Sequence, residues 1–175
     1  MANKQALRDL QARLAQRMQQ VRSEKPGQSW LAVDAGGQGL LLALRQAGEI
    51  AGLGPVLPVP HTRPWLLGVV NLRGGVFTVV DLARFLGLRE PGSASPKEPA
   101  RLVAFNAALG INGALLVDRL EGLRHAADLQ VEDDADAAAR PAFALARWRD
   151  AAGKVWQELD LAELARQPQF LAVTH

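Results

Sequence analysis

The sequence predicts a mainly β protein made of two related small barrels, with one α-helix in front of them. Short apolar runs separated by glycine-rich or polar breaks recur along most of the chain, which is typical of strands and hairpins. The run Asp81-Leu82-Ala83 follows one predicted strand, and the same pattern returns at Asp160-Leu161-Ala162, which indicates an internal duplication. Strands this short favour small barrels over a layered α/β sheet.

The N-terminal segment carries the predicted helix. Residues 4–22 have helical periodicity with one apolar stripe, and Pro26-Gly27 ends the pattern. The helix either docks on its own domain or uses its narrow stripe to bind a groove or a short coiled coil of a partner. We expect residues 1–28 to form this helix and a linker, and residues 29–175 to form the β domain. The stripe consists of Leu7, Leu10, Leu14, Met18 and Val21.

The first half of the β domain contains two predicted hairpins. Residues 30–50 form an apolar run, a turn at Gly36-Gly37 and a second apolar run. Four prolines between Pro55 and Pro64 exclude a helix or a central strand, so this part is expected to be a surface loop. Residues 65–88 then predict strand, polar break, strand and short helix.

The second half of the domain repeats this order. We expect residues 30–86 to correspond to residues 101–165, on either side of an exposed loop at 89–100 that is rich in proline, serine and charge. Asp81 and Asp160 each stand where a strand ends and a short helix begins. Capping of that helix is therefore favoured for both residues over catalysis.

Composition and motifs indicate a protein without catalytic residues, cofactor or metal. The absence of cysteine excludes disulfide and thiolate chemistry. His61, His125 and His175 have no metal-ligand spacing, and the acidic run 131–140 lacks the glycine and glutamate of a calcium loop. All four serines lie in predicted loops rather than at a strand-to-helix elbow, so a small hydrolase is a weak alternative that needs a pocket of convergent polar groups.

A second alternative is a nucleic-acid-binding β-barrel. The formal net charge is only +2, and the high sequence pI of about 9.5 follows from the absence of cysteine and tyrosine, which leaves little to titrate between pH 8 and 10. The sequence Arg73-Gly74-Gly75 is a single copy, with no tyrosine to stack on bases. The chain also has no signal-peptide pattern and no run of about 18 apolar residues, so we expect a cytoplasmic soluble protein.

The most specific stretch is residues 55–88, which contain the motifs Pro64-Trp65, Gly68, Asn71-Leu72-Arg73-Gly74 and Val80-Asp81-Leu82. With these motifs the stretch resembles the central part of the CheW family, the coupling proteins of bacterial chemosensory arrays. Val117-Asp118 and the segment Ala47-Gly48-Glu49-Ile50 resemble further parts of that family, and the resemblance covers about residues 29–173. Residues 63–74 and the N-terminal extension look most like the PilI subfamily, which serves type IV pili and twitching motility.

The resemblance implies a non-enzymatic adaptor with two SH3-like, five-stranded β-barrels and short helices. Its implied partners are the cytoplasmic tip of a chemoreceptor and the regulatory domain of a CheA-type histidine kinase, with no nucleic acid and no membrane insertion. The implied location is cytoplasmic, with recruitment to membrane-associated receptor arrays. A coupling protein of a flagellar chemotaxis system is the alternative within the family.

Within the resemblance, the polar segment around Arg73 is expected to turn the chain and organise a partner-binding surface. Gly74-Gly75 can adopt the backbone angles of a sharp turn, and Asn71 can bond local backbone groups. Since the family places the Glu49 segment nearby, we expect a partly buried Arg73 to pair with Glu49. Gly75 departs from the charged or large residue of many members. The expected site consists of Glu49, Val69, Val70, Asn71, Leu72, Arg73, Gly74 and Gly75.

Overall fold

The computed structural model describes residues 27–94, 96, 99–133 and 135–174. The predicted N-terminal helix lies outside this part of the chain and stays a prediction. Among the described residues, no helix is both long enough and apolar enough to cross a membrane. The α-helices are α1 (Leu82–Phe85), α2 (Leu161–Arg166) and α3 (Pro168–Leu171), and the strands are β1 (Ser29–Ala35), β2 (Gln38–Ala43), β3 (Ala47–Gly52), β4 (Leu66–Leu72), β5 (Gly75–Asp81), β6 (Arg101–Phe105), β7 (Gly113–Val117), β8 (Arg119–His125), β9 (Leu129–Glu132), β10 (Ala144–Asp150) and β11 (Val155–Leu159).

The strands form two sheets, which confirms the mainly β prediction. Sheet A has the order β8-β1-β2-β11-β10-β9, and sheet B has the order β3-β6-β7-β5-β4. The expectation of five strands in each barrel is therefore right for sheet B and one strand short for sheet A. The additional strand is β9, which pairs with β10 at the edge of sheet A.

The predicted duplication is visible in the strand orders, although neither sheet is built from one repeat alone. If β1–β5 correspond to β6, β7, β8, β10 and β11, the first five strands of sheet A match sheet B position by position. The repeats have exchanged strands, since β2 pairs in parallel with β11, and β5 pairs in parallel with β7. Folding of either sheet therefore needs both halves of the sequence.

The apolar side chains divide between one shared core and one smaller core in each sheet. In β1, Leu31 and Val33 contribute to the core between the sheets, whereas Trp30 and Ala32 contribute to a core that belongs to sheet A. Leu115 and Leu116 divide in the same way in β7. These central strands are buried on both faces, which explains why their sequences are continuous apolar runs rather than alternating ones.

Local sequence determines the turns and helix starts as expected. Gly36 and Gly37 both have positive φ, at 61° and 82°, as the central residues of a type I′ hairpin turn do. Asp81 accepts a hydrogen bond from the backbone N–H of Arg84, and Asp160 accepts from the N–H groups of the second and third residues of its helix. Both aspartates are thus N-caps, as predicted.

Candidate partner-binding surface

The polar segment around Arg73 forms the two-residue turn of the β4–β5 hairpin. Leu72 pairs with Gly75, and the residues between them, Arg73 and Gly74, have positive φ of 47° and 86°. This is a type I′ turn, stabilised by a 2.9 Å hydrogen bond from the Gly74 backbone N–H to Asn71 Oδ1. The expectation that Gly74 and Gly75 provide the special backbone angles is wrong by one residue, because the turn requires them at Arg73 and Gly74.

The expected ion pair between Arg73 and Glu49 is present. Arg73 Nε lies 2.8 Å from Glu49 Oε1. The expected partial burial of the arginine is wrong, since 82% of its side chain is exposed against 32% for Glu49. A two-residue turn projects beyond the sheet, so neither neighbouring strand covers the guanidinium.

The same ion pair shows how sheet B closes. Glu49 belongs to β3 and Arg73 follows β4, and these strands stand at opposite ends of the strand order. Their contact brings the two edges of the sheet together, as in a barrel. The backbone of Leu57, between these strands, exchanges two hydrogen bonds with Val69 of β4, at 2.8 and 2.9 Å. Within the proline-rich loop of residues 55–64, Leu57 therefore continues the hydrogen bonding of sheet B beyond β4.

Gly68 allows this loop to approach β4. Its φ is +141°, and a Cβ atom placed there would lie 2.1 Å from the carbonyl oxygen of Leu57. No L-residue fits this position without moving the loop. The glycine of the recognised motif is thus required by a backbone contact.

Alternation along the hairpin separates the predicted site residues into two groups. Val70 is 6% exposed and belongs to the core of sheet B, against which Leu72 packs. Val69 and Asn71 lie on the other face of β4. Of these four strand residues, only Val69 and Asn71 can contact a partner directly, so Val70 and Leu72 support the surface from inside.

The outward face also carries apolar residues that the sequence did not indicate. Leu57 pairs with Val69, which pairs with Thr78, and Val76 pairs with Asn71 two positions along the hairpin. Leu57 is 69% exposed and Val76 is 61% exposed. We call Leu57, Val69, Asn71, Val76 and Thr78 the hairpin patch. Period-two alternation in the sequence indicates that a strand has two faces, but it does not show which face is left uncovered. The exposure of Val76 could therefore not be predicted from the sequence.

A second polar cluster lies at the far end of β5. Arg89 Nη1 donates to both carboxylate oxygens of Asp81, at 2.9 and 3.0 Å, and Arg89 Nη2 donates to both of Asp118, at 2.5 and 2.7 Å. Asp118 also accepts from the backbone N–H of Gly36, at 2.9 Å. Because Asp118 stands between β7 of sheet B and β8 of sheet A, we call these contacts the inter-sheet ionic cluster.

Burial and charge oppose each other at Arg89. Burial alone would lower the pKa of its guanidinium, but the hydrogen bond to Asp118 and the charge of Asp81 outweigh burial and raise that pKa above its ordinary value. Arg89 therefore stays charged, and its role is structural. The sequence placed it in an exposed loop, whereas only 14% of its side chain is exposed.

The described residues offer little support for the alternative functions. No group of three histidine, cysteine or acidic side chains among them could hold a metal ion. On sheet A, the cationic side chains of Arg119 and Lys154 both contact Glu121, at 3.5 and 3.7 Å, and Arg149 bonds to Glu132. These cationic side chains are thus paired with acids, whereas a basic patch or stripe is typical of nucleic-acid-binding surfaces.

Comparisons with known proteins agree with the architecture. A family model described as CheW-like domain matches residues 29–169. The chemotaxis protein CheW of Rhizobium meliloti is 30% identical over 112 residues, which are 64% of this chain and 70% of that protein. Protein PilI of Pseudomonas aeruginosa is 29% identical over 100 residues, which are 56% of this chain and 54% of PilI. The chain thus spans about half the length of that relative.

A solved structure shows the same fold. The crystal structure of the scaffolding protein TtCheW from Thermoanaerobacter tengcongensis matches with a TM-score of 0.65 over 82% of this chain and 90% of that one. The sequence identity is 17%, so this likeness concerns the fold.

Proposed function

The chain belongs to the CheW-like domain family, and we propose that it is an adaptor that couples a chemoreceptor to a CheA-type histidine kinase in a chemosensory array. The observation that carries the proposal is the family match over residues 29–169, which include both sheets. The relative from Rhizobium meliloti is described as a chemotaxis protein and the structural neighbour as a scaffolding protein, which supports a non-enzymatic role.

The hairpin patch supports a docking role in this proposal. Its centre is apolar, with Leu57 and Val76 largely exposed, and the Arg73–Glu49 ion pair stands beside it. An apolar centre with a polar rim is the usual composition of a protein–protein interface. We assign the patch to the regulatory domain of the kinase. The chemoreceptor tip then contacts a different surface, so that one adaptor holds both partners.

The finer proposal is a role in type IV pili and twitching motility. It is supported by the 29% identity to PilI and by the run of residues 63–74. The similar 30% identity to a chemotaxis protein CheW keeps a flagellar system as the alternative. In either case we propose that the protein works in the cytoplasm and joins receptor arrays at the membrane through its partners.

The test is binding to the regulatory domain of a CheA-type kinase from the same genome, measured by isothermal titration calorimetry. Val76→Glu puts a charge in the hairpin patch, whereas Val131→Glu puts the same charge on β9 at nearly equal exposure, 61% against 64%. We expect Val76→Glu to weaken binding at least tenfold and Val131→Glu to leave it unchanged. Equal effects of the two variants would contradict the assignment of the patch. No binding by the unmodified chain would contradict the adaptor proposal.

The ion pair provides a second arm of this test. Arg73→Glu should weaken kinase binding, and adding Glu49→Arg should restore the pairing with reversed polarity. If the double variant folds normally but does not bind, the partner contacts Arg73 itself. If it binds normally, the pair only holds the hairpin in position.

A further inference from the structure

A buried carboxylate without a cationic partner lies inside sheet A. Glu158 of β11 is 6% exposed, and no lysine or arginine among the described residues forms an ion pair with it. Its two oxygens accept hydrogen bonds from two indoles, at 3.0 Å from Trp30 Nε1 and 2.9 Å from Trp148 Nε1. Buried charges in proteins are ordinarily paired with an opposite charge or a metal. The two neutral indole donors stabilise the carboxylate but do not neutralise it.

A cavity adjoins this carboxylate. Its volume is about 230 Å³, and its walls are residues 27–30, residues 43–45 and Glu158. The cavity has room for several water molecules or for a small organic group. Glu158 is the one acid among these wall residues and Arg45 the one base, and Arg45 is exposed and forms no ion pair with Glu158.

We propose that this cavity binds a primary ammonium or guanidinium group on the Glu158 carboxylate. Each oxygen uses one lone pair for an indole and keeps another for a donor from the cavity side. A cation there would form a charge-assisted hydrogen bond in a site of low dielectric, where such bonds are strongest. The alkyl part of the group would lie against Trp30 and the backbone of residues 27–29.

Two sources can supply this chemistry. The first is the chain itself, because residues 1–26 contain six lysine or arginine residues against two acids, and Arg22 and Lys25 come shortly before the cavity wall at Gly27. The second is an amine or a basic side chain of a separate molecule. This site lies in sheet A, apart from the hairpin patch of sheet B, so the proposal does not depend on the adaptor role.

The experiment observes the indole N–H resonances of the full chain by nuclear magnetic resonance. The chain has four tryptophans, and Trp30 and Trp148 report on Glu158, while Trp65, in the core between the sheets, serves as an internal reference. The probe is propylammonium chloride, with sodium chloride at equal ionic strength and tetramethylammonium chloride, which cannot donate a hydrogen bond, as controls. Wild type, Glu158→Gln, Arg45→Gln and the double variant Arg22→Gln/Lys25→Gln are compared.

If the cation comes from a separate molecule, we expect propylammonium, but neither control salt, to shift the Trp30 and Trp148 resonances of the wild type in a saturable way. The affinity for propylammonium should be at least about tenfold weaker in Glu158→Gln. If the cation is Arg22 or Lys25 of the chain itself, we expect no response of the wild type to propylammonium. The Trp30 and Trp148 resonances of Arg22→Gln/Lys25→Gln should then differ from those of the wild type and should shift on addition of propylammonium. The responses of the wild type and of Arg22→Gln/Lys25→Gln, compared with the tetramethylammonium control, are measured with Glu158 intact, so they decide between the two sources even if Glu158→Gln fails to fold. The proposal is overturned if neither protein responds, or if Arg45→Gln alone moves the two resonances, since Arg45 would then be the counterion.

Discussion

Removal of Arg89 should destabilise the protein far more than removal of the arginine in the recognised motif. In Arg89→Met the apolar stem stays and the charge is lost. Asp81 is fully buried, and it would keep only its helix cap and the Arg84 Nε at 3.5 Å. Breaking a buried ion pair costs about 3–5 kcal/mol because the remaining charge is uncompensated. Since Arg84 provides part of the compensation, we expect about 3 kcal/mol.

The matched control is Arg73→Met, which removes the same type of side chain from an ion pair of nearly the same length. Arg73 is 82% exposed, and exposed pairs contribute about 0–1 kcal/mol. Urea unfolding followed by circular dichroism gives both free energies of unfolding. For a chain of this size about 3 kcal/mol corresponds to a fall in Tm of about 6–12 °C. The double variant Arg89→Met/Asp81→Asn should recover part of the loss, since asparagine still caps the helix and leaves no buried charge.

Equal losses of unfolding free energy in Arg89→Met and Arg73→Met would refute this explanation. It also fails if Asp81→Asn adds to the loss in Arg89→Met instead of reducing it. The first result would mean that burial does not separate the two pairs. The second would mean that the carboxylate is stabilised by something other than Arg89.

Three further predictions concern other parts of the chain. Gly68→Ala should lower the free energy of unfolding by at least about 1–3 kcal/mol, because the added Cβ would overlap the proline-rich loop. Gly74→Ala is the control, since Gly74 also has a positive φ but lies in open space, and it should cost less in the same urea titration. The hydrogen bond from the Trp156 indole holds the pKa of Asp150 below its ordinary value of 3.8. The stability that the Asp150 carboxylate contributes is therefore present above about pH 4 and is lost as the pH falls through the pKa of Asp150 in the folded protein. Asp150→Asn should be less stable than wild type at pH 7, with a smaller difference at pH 3. Deletion of residues 1–25 should leave a cooperative thermal melt, and loss of cooperativity would place that segment in the core.

Local chemistry made several features predictable from the sequence. Two adjacent glycines between apolar runs predict a hairpin turn, and Gly36-Gly37 forms one, of type I′. An aspartate between a strand and a helix predicts a cap, and Asp81 and Asp160 are caps. The Arg73–Glu49 contact came from the family resemblance, since 24 positions separate the two residues and no local rule joins them.

Features that depend on which strands become neighbours were not predictable. Period and propensity identify a strand but not its partner, so the exchange of strands between repeats was missed. Arg89 stands in a run rich in proline, serine and charge, which is typical of an exposed loop. Its burial depends on Asp118, which is distant in sequence. The exposure of Leu57 agrees with the surface loop expected for residues 55–64, but its pairing with Val69 of β4 was missed, because it joins a loop to a strand.

The exchange of strands between the repeats has a consequence for synthesis on the ribosome. Trp30 of β1 pairs with Arg124 of β8, and Leu42 of β2 pairs with Leu159 of β11. Sheet A therefore cannot be completed until residue 159 has been translated. During most of elongation β1 lacks its neighbour β8 and β2 lacks its neighbour β11, although the side chains of β1 and β2 are mostly apolar. Closing loops of this length costs entropy before any contact compensates for it, which slows folding. The strands of sheet B, by contrast, all lie between residues 47 and 117, so that sheet can be completed while β8 to β11 of sheet A are still being translated. During synthesis the second sheet to be completed is therefore the one whose first strands were made earliest.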